Sequence, residues 1–164
     1  MFRHLLLLSS FILAGCASAP PYSYRYVPGR TAELDGGLAS APPAAPVALH
    51  AAVAAGNSIA GLPYARGGGH RSGRVSAYDC SGAASYVLRE AGLLGDSMPS
   101  SGFRHYGEKG AGEWISIYAR RNHVFLVLAG LRFDTGYTGS TKGPRWTTRS
   151  RPTSGAVVRH PRGL

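Results

Sequence analysis

A cysteine at the start of a predicted helix is the residue of this sequence best suited to covalent chemistry. After Cys80, apolar residues recur at the spacing of one helical face, at Ala83, Val87, Leu88 and Ala91. Asp79 or Ser81 can cap the helix, and Gly92 can end it because glycine enters the left-handed conformation without steric cost. Unpaired N–H groups and the helix dipole favour the nucleophilic thiolate in a first turn. A small buried structural cysteine is the alternative from local sequence alone.

A histidine next to the most apolar segment is the candidate base. His123 opens a predicted buried strand, residues 123–129. Cys–His catalysis needs a base that a rigid element holds beside the thiol. Asp134 lies on the next predicted strand, where it can orient the imidazole as a third member. A turn histidine of no consequence is the alternative on position alone.

The elements that must position these residues predict an α+β domain. An alanine-rich segment, residues 47–61, has helical spacing and stops before Pro63, because proline disfavours helix in the residue before it. Alternating or continuous apolar residues predict strands at residues 114–118, 123–129, 131–135 and 156–159. Residues 136–154 are rich in Gly, Thr, Ser and Arg and predict a loop. We expect N-terminal helices packed on a small antiparallel sheet.

The N-terminal residues predict export. Arg3 precedes an apolar run, residues 5–13, that is too short to span a bilayer and is typical of a signal peptide. The following Leu-Ala-Gly-Cys sequence resembles the lipobox of bacterial lipoproteins, in which the signal is cut before the cysteine that carries the lipid. This resemblance implies a signal peptide at residues 1–15 and a lipid on Cys16. Cleavage after Ala19, which would release a soluble protein, is the alternative.

Composition divides the mature chain into two parts. Residues 16–46 are rich in Pro, Ala and Gly and predict a flexible tether, whereas residues 47–164 predict the folded domain. The formal charge of +10 favours anionic partners, and export makes cell-wall or lipid surfaces more suitable than nucleic acid. If Cys16 is acylated or removed, Cys80 has no disulfide partner, which is typical of a reactive thiol.

Over about residues 47–164 the sequence resembles the NlpC/P60 family of cell-wall cysteine peptidases. The resemblance rests on three motifs in order: Leu62-Pro63-Tyr64 with the glycines after it, Asp79-Cys80-Ser81-Gly82, and His123-Val124. It implies a papain-like α+β core and hydrolysis of peptidoglycan stem peptides, typically between D-glutamate and a diamino acid. It also implies that Cys80 is the nucleophile, that His123 is the general base and that Tyr64 lies near the oxyanion site.

The third member of the site stays open between two residues. In the family it is usually a polar residue, often histidine, on the strand after the histidine strand. Here that strand ends in Asp134 and Thr135, which alternation places on opposite faces. Chemistry favours Asp134, with Thr135 as the alternative. Tyr64, Ser81 and His70 are the candidates for oxyanion or substrate contacts, although His70 could also be a residue of an exposed loop.

No cofactor is expected, because a zinc site built from Cys80, His70 and His123 would lack a closely spaced ligand pair. The expected partners are peptidoglycan stem peptides and, through the lipid, a membrane of the cell envelope, with the protein acting as a monomer. Two other functions stay open. One is a non-catalytic lipoprotein that binds the envelope; the other is an acyltransferase or amidase that uses the same Cys–His pair.

Overall fold

The structure is a computed structural model that describes residues 21–71, 75–136 and 143–164. Its helices are α1 (Val47–Ile59), α2 (Cys80–Glu90) and α3 (Ser100–Phe103). Its strands are β1 (Glu33–Asp35), β2 (Leu38–Ser40), β3 (Glu108–Lys109), β4 (Ile115–Ala119), β5 (Val124–Leu128), β6 (Leu131–Asp134), β7 (Arg145–Thr147) and β8 (Val157–His160). The predicted α+β class is therefore confirmed.

The main sheet places the predicted histidine strand at its centre. Its strands run in the order β3-β8-β4-β5-β6-β7, and each pair is antiparallel. A tight turn joins β5 to β6 through Ala129 and Gly130, whose φ values are 43° and 79°. Helix α2 packs against α1 and against β5. This packing brings the start of α2 close to the start of β5, where Cys80 and His123 lie.

Helix α2 begins and ends as the sequence predicts. The Asp79 side chain accepts a hydrogen bond of 2.7 Å from the Gly82 N–H and so caps the first turn. At the other end Gly92 has a φ of 70°, and the Leu93 N–H donates to the Leu88 carbonyl over 2.8 Å. These two caps fix Cys80 as the first residue of the helix.

Gly82 allows the start of α2 to touch the glycine-rich loop that contains residues 67–70. A Cβ atom at Gly82 would lie 1.9 Å from the Gly68 carbonyl oxygen, a separation that no side chain tolerates. The loop also contacts Asp79, whose backbone N–H donates to the Gly68 carbonyl over 3.1 Å. The loop therefore lies directly behind the cysteine, as the sequence suggests.

Helix α1 begins at Val47, as predicted, and ends at Ile59, two residues before the end of the predicted segment. Val47 is 85% exposed, and the buried face carries Leu49, Ala52, Val53, Ala55, Gly56 and Ile59. Because alanine occurs on every side of the helix, the spacing of its apolar residues does not indicate which face is buried. The Trp146 ring packs on Gly56, and its indole N–H donates to Asn57 over 2.8 Å. Trp146 lies in β7, within the segment that the sequence predicted to be a loop.

The predicted flexible tether needs a correction for residues 21–46, which fold onto the domain. Strands β1 and β2 form a hairpin, and the Asn57 side chain hydrogen-bonds both the N–H and the carbonyl of Ala39 over 2.9 Å. Tyr22 is 6% exposed and exchanges two backbone hydrogen bonds with Arg151, of 3.0 and 3.1 Å. Backbone pairing and small buried side chains hold this segment, and neither leaves an apolar period in the sequence.

The predicted signal peptide and Cys16 lie outside the described residues. Within the ranges that the structure describes, no helix combines the length and the apolar character needed to cross a membrane.

Candidate active site

Cys80 lies in the first turn of α2 as a free thiol, 9% exposed. Its Sγ is 3.5 Å from the Ser100 hydroxyl, and His123 lies near enough to interact with the thiol. Burial by itself raises the pKa of the thiol. Hydrogen bonds from His123, Ser100 and the Val124 backbone, together with the charge on His123, outweigh burial, so the pKa of Cys80 is lowered. The site therefore makes the thiolate easier to form than it is in an exposed cysteine.

His123 is held by the turn that leads into β5. The Arg120 N–H donates to the His123 carbonyl over 2.7 Å, and Nε2 lies 2.8 Å from Oδ1 of Asp134. The remaining ring nitrogen, Nδ1, is thus left for Cys80. Burial lowers the pKa of the imidazole, but hydrogen bonds and charges from Asp134 and Cys80 outweigh it and raise the pKa to about 8. The histidine therefore favours the imidazolium form beside the thiolate.

Asp134 ends β6 with a side chain that is fully buried. Besides the His123 contact, Oδ1 accepts the Thr135 backbone N–H over 2.7 Å. Oδ2 accepts from Arg132 and, over 2.8 Å, from Arg151. The carboxylate thus has four donors for its two oxygens, which fixes its orientation toward His123.

The two arginines compensate for burial of this carboxylate. Arg132 is fully buried on the same strand, and Arg151 reaches the site from the chain that pairs with Tyr22. Both donate to the Gly136 carbonyl, over 3.2 and 2.9 Å, and both lie over the Phe125 ring. A buried ion is stable only when opposite charge and hydrogen bonds replace its water. No sequence motif marks Arg151, whereas an arginine inside an apolar strand is a signal for Arg132.

Thr135, the alternative third member, makes no contact of this kind. Its backbone N–H binds Asp134, whereas its buried hydroxyl has no hydrogen-bond partner. Of the two candidates that the sequence left open, the structure brings Asp134 to His123.

His70 and Ser81 lie behind the start of α2. Nε2 of His70 is 3.1 Å from Oδ1 of Asp79 and 3.1 Å from the Ser81 hydroxyl, while Nδ1 is 2.6 Å from the Ser97 hydroxyl. Burial raises the pKa of Asp79, but hydrogen bonds from the N–H groups of Gly82 and Gly67 and from His70 outweigh it and lower the pKa. These contacts stabilise the helix cap. A substrate contact by His70 or Ser81 stays a prediction.

Tyr64 lies at the rim of the site. It pairs with Tyr78 through a backbone bridge, and its side chain is 42% exposed. Partial burial and then the negative charges of Cys80 and Asp79 raise the pKa of its phenol. The hydroxyl is therefore protonated and near enough to Cys80 to sense its charge, as an oxyanion donor must be. That role stays a prediction.

Ser100 is a further neighbour of the thiol that no sequence motif marks. It follows Pro99 in a stretch, residues 93–112, whose Gly, Pro and Ser residues predict irregular structure. Contact with a thiol 20 positions away has no local signature.

Substitutions at Asp134 and Thr135 should have opposite consequences. Asp134→Asn leaves two buried guanidinium groups without their counter-charge, so we expect it to lower the free energy of unfolding by about 3–5 kcal/mol and to abolish thiol activation. Thr135→Val removes a hydroxyl that has no partner, so we expect equal or greater stability, by up to about 1 kcal/mol. Urea unfolding and iodoacetamide alkylation of Cys80 measure both effects. Asp96→Asn, at an exposed carboxylate, is the control, and loss of alkylation in Thr135→Val but not in Asp134→Asn would reverse the assignment.

Comparisons with known proteins support the fold. No protein-family model matches this chain, and no curated protein does. Among solved structures, a P60 domain from a Mycobacterium avium subspecies paratuberculosis antigen matches with a TM-score of 0.51 and 20% identity, over 68% of this chain and 93% of that chain.

Two Mycobacterium tuberculosis proteins match similarly. The peptidoglycan hydrolase RipB has a TM-score of 0.53 and 22% identity, over 69% of this chain and 64% of that chain, so this chain spans less than two thirds of RipB. RipD, described as a non-catalytic NlpC/p60 domain protein adapted to peptidoglycan binding, has a TM-score of 0.50 and 20% identity, over 71% of this chain and 98% of that chain. At this level of identity the likeness concerns the fold, and it agrees with the core predicted from the motifs. The chain has the fold of NlpC/P60 domains.

Proposed function

We propose that this protein is a cysteine peptidase that hydrolyses an amide bond of peptidoglycan stem peptides. The observation that carries the proposal is the placement of the Cys80 thiol beside His123, whose imidazole is hydrogen-bonded to the buried Asp134. The substrate class rests on the NlpC/P60 fold, since RipB is a peptidoglycan hydrolase. The family resemblance points to the bond between D-glutamate and a diamino acid.

Acylation starts from the thiolate and imidazolium pair. Cys80 Sγ attacks the carbonyl carbon, and the carbonyl oxygen becomes an oxyanion near the first backbone N–H groups of α2 and the Tyr64 hydroxyl. His123 then gives its proton to the leaving amine as the C–N bond breaks. The products of this half are the free amine and a thioester on Cys80, with His123 neutral.

Hydrolysis of the thioester returns the site to its starting state. Neutral His123 takes a proton from water, and the resulting hydroxide attacks the thioester carbonyl. Collapse of the second tetrahedral intermediate breaks the C–S bond and releases the carboxylic acid. Asp134 accepts the imidazole N–H throughout, which keeps the other ring nitrogen facing Cys80.

Binding to peptidoglycan without catalysis is the second candidate function. RipD shows that a chain of this fold is compatible with it, and the charge of +10 suits anionic wall polymers. The ordered contact between Cys80 and His123 favours the peptidase instead, because binding alone does not require it.

The function test is mass spectrometry of soluble muropeptides after incubation with the wild type and with Cys80→Ala. We expect new peptide fragments from the wild type and a loss of more than about 1000-fold in Cys80→Ala, because the nucleophile is absent. His105→Ala, at an exposed histidine, is the control and should retain activity. Full activity in Cys80→Ala would contradict the mechanism. Intact muropeptides that co-sediment with an inactive wild type would instead support the binding function.

Hydrolysis should depend on pH as a bell with its alkaline limb near pH 8. As pH rises through the pKa of His123, the imidazolium loses the proton that the leaving amine needs. Alkylation by iodoacetamide needs only the thiolate and should stay high above pH 8. Rates of both reactions from pH 5 to 10 measure the difference. A hydrolysis rate that follows the alkylation rate up to pH 10 would remove His123 as the proton donor.

We also propose that the protein acts in the cell envelope and is anchored by a lipid on Cys16. The lipobox resemblance and the peptidoglycan substrate support this location. Expression with a labelled fatty acid should label the wild type and not Cys16→Ala, and the variant should leave the membrane fraction. Equal labelling of the two proteins would contradict the anchor and favour release as a soluble protein.

A further inference from the structure

We propose that Ser100 is a further catalytic residue, whose hydroxyl donates a hydrogen bond to the Cys80 thiolate. Ser100 Oγ lies 3.5 Å from Cys80 Sγ, and the two residues are 7% and 9% exposed. A donor in a site that excludes water favours the charged form of its acceptor. This role rests on the proposed peptidase function and concerns the ionisation of Cys80 before substrate binds.

Helix α2 itself holds the segment that carries Ser100. Ser85 lies on α2 with no exposed surface, and its hydroxyl accepts the Met98 N–H over 3.1 Å and donates to the Met98 carbonyl over 3.3 Å. Ser100 follows two residues later, at the start of α3, and the fully buried Phe103 fixes the end of that helix in the core. One rigid helix therefore carries both the nucleophile and the attachment point of its hydroxyl partner.

A second attachment runs through His70. The Ser97 hydroxyl is 2.6 Å from Nδ1 of His70, and Nε2 of His70 is 3.1 Å from the Asp79 carboxylate that caps α2. The segment 97–100 is thus tied to the residue before Cys80 as well as to Ser85. This arrangement explains the histidine in the glycine-rich loop, which acts as a positioning residue for the segment and not as a second base.

The groups around the thiol differ in what they supply. His123 provides a positive charge and a proton, while Tyr64 lies near enough to the thiol to interact with it electrostatically. Ser100 provides a neutral donor whose strength does not change with pH in the working range. His123 and Ser100 both contact the sulfur, and these two contacts fix its orientation before attack.

The experiment measures the rate of iodoacetamide alkylation of Cys80 between pH 4 and 10 in the full chain, with the modified site read by peptide mass. For Ser100→Ala we expect the midpoint to move up by about one pH unit, with about tenfold slower alkylation at pH values below the midpoint. Ser101→Ala removes an exposed hydroxyl from the next residue of the same helix and should match the wild type. Ser100→Thr keeps a hydroxyl, so its midpoint should stay near that of the wild type. Ser100→Val has the shape of threonine without the hydroxyl, so its midpoint should shift as in Ser100→Ala.

Identical profiles for Ser100→Ala, Ser101→Ala and the wild type would overturn the proposal, as would identical profiles for the threonine and valine variants. The valine and threonine pair decides the matter if Ser100→Ala does not fold, because the two variants differ only in the hydroxyl. If Ser100→Ala shifts the alkylation profile and the wild type cleaves no muropeptide, the role of Ser100 is sustained and the peptidase function is refuted.

Discussion

The burial of one carboxylate is the constraint on which the rest of this structure depends. Asp134 has no exposed side-chain surface, so its charge must be met by protein groups, and donors from His123, Thr135, Arg132 and Arg151 meet it. Arg132 and Thr135 belong to β6 and to the residue after it, whereas His123 and Arg151 come from other parts of the chain and tie those segments to the end of β6. The group that orients the imidazole is thus also a junction of the fold, and chemistry and stability share a single ion cluster.

Burial acts against both reactive groups, and they overcome it with help from each other and from their neighbours. Desolvation raises the pKa of Cys80 and lowers the pKa of His123, which would leave a neutral thiol beside a neutral imidazole. For His123 the hydrogen bond with Asp134 opposes burial most, followed by Cys80; for Cys80 the interaction with His123 opposes it most, followed by Ser100. Because the ion pair is neutral as a whole, the site can keep it in a place where a single charge would be costly.

The sequence predicts the parts of the site that have local causes. The cap at Asp79, the stop at Gly92 and the strands around His123 follow from residue type and spacing, and they place Cys80 at the start of α2 and His123 directly before β5. Contacts that join distant positions have no such signature. Arg151 reaches Asp134 across 17 positions, and Ser100 reaches Cys80 across 20.

The order of residues 21–46 could not be predicted from the sequence for a related reason. Its order comes from backbone pairing and from tyrosine hydroxyls, such as the bond of 2.9 Å from Tyr22 to the Gly130 carbonyl, and not from an apolar period. Helix α1 shows the converse case. Its alanine residues predict the helix but not which face is buried, and the buried face is the one that packs against Trp146.

If Cys16 carries the proposed lipid, the pairing of Tyr22 with Arg151 sets how far the domain can stand from the membrane. A free chain from Cys16 to residue 46 would reach about 100 Å when fully extended, whereas the chain from Cys16 to Tyr22 reaches at most about 20 Å. With a lipid on Cys16, Cys80 would be confined to the layer of wall next to the bilayer. For the peptidase proposed above, access to substrate would then depend on how close a peptidoglycan strand comes to the membrane surface, and not on how far the domain can reach outward.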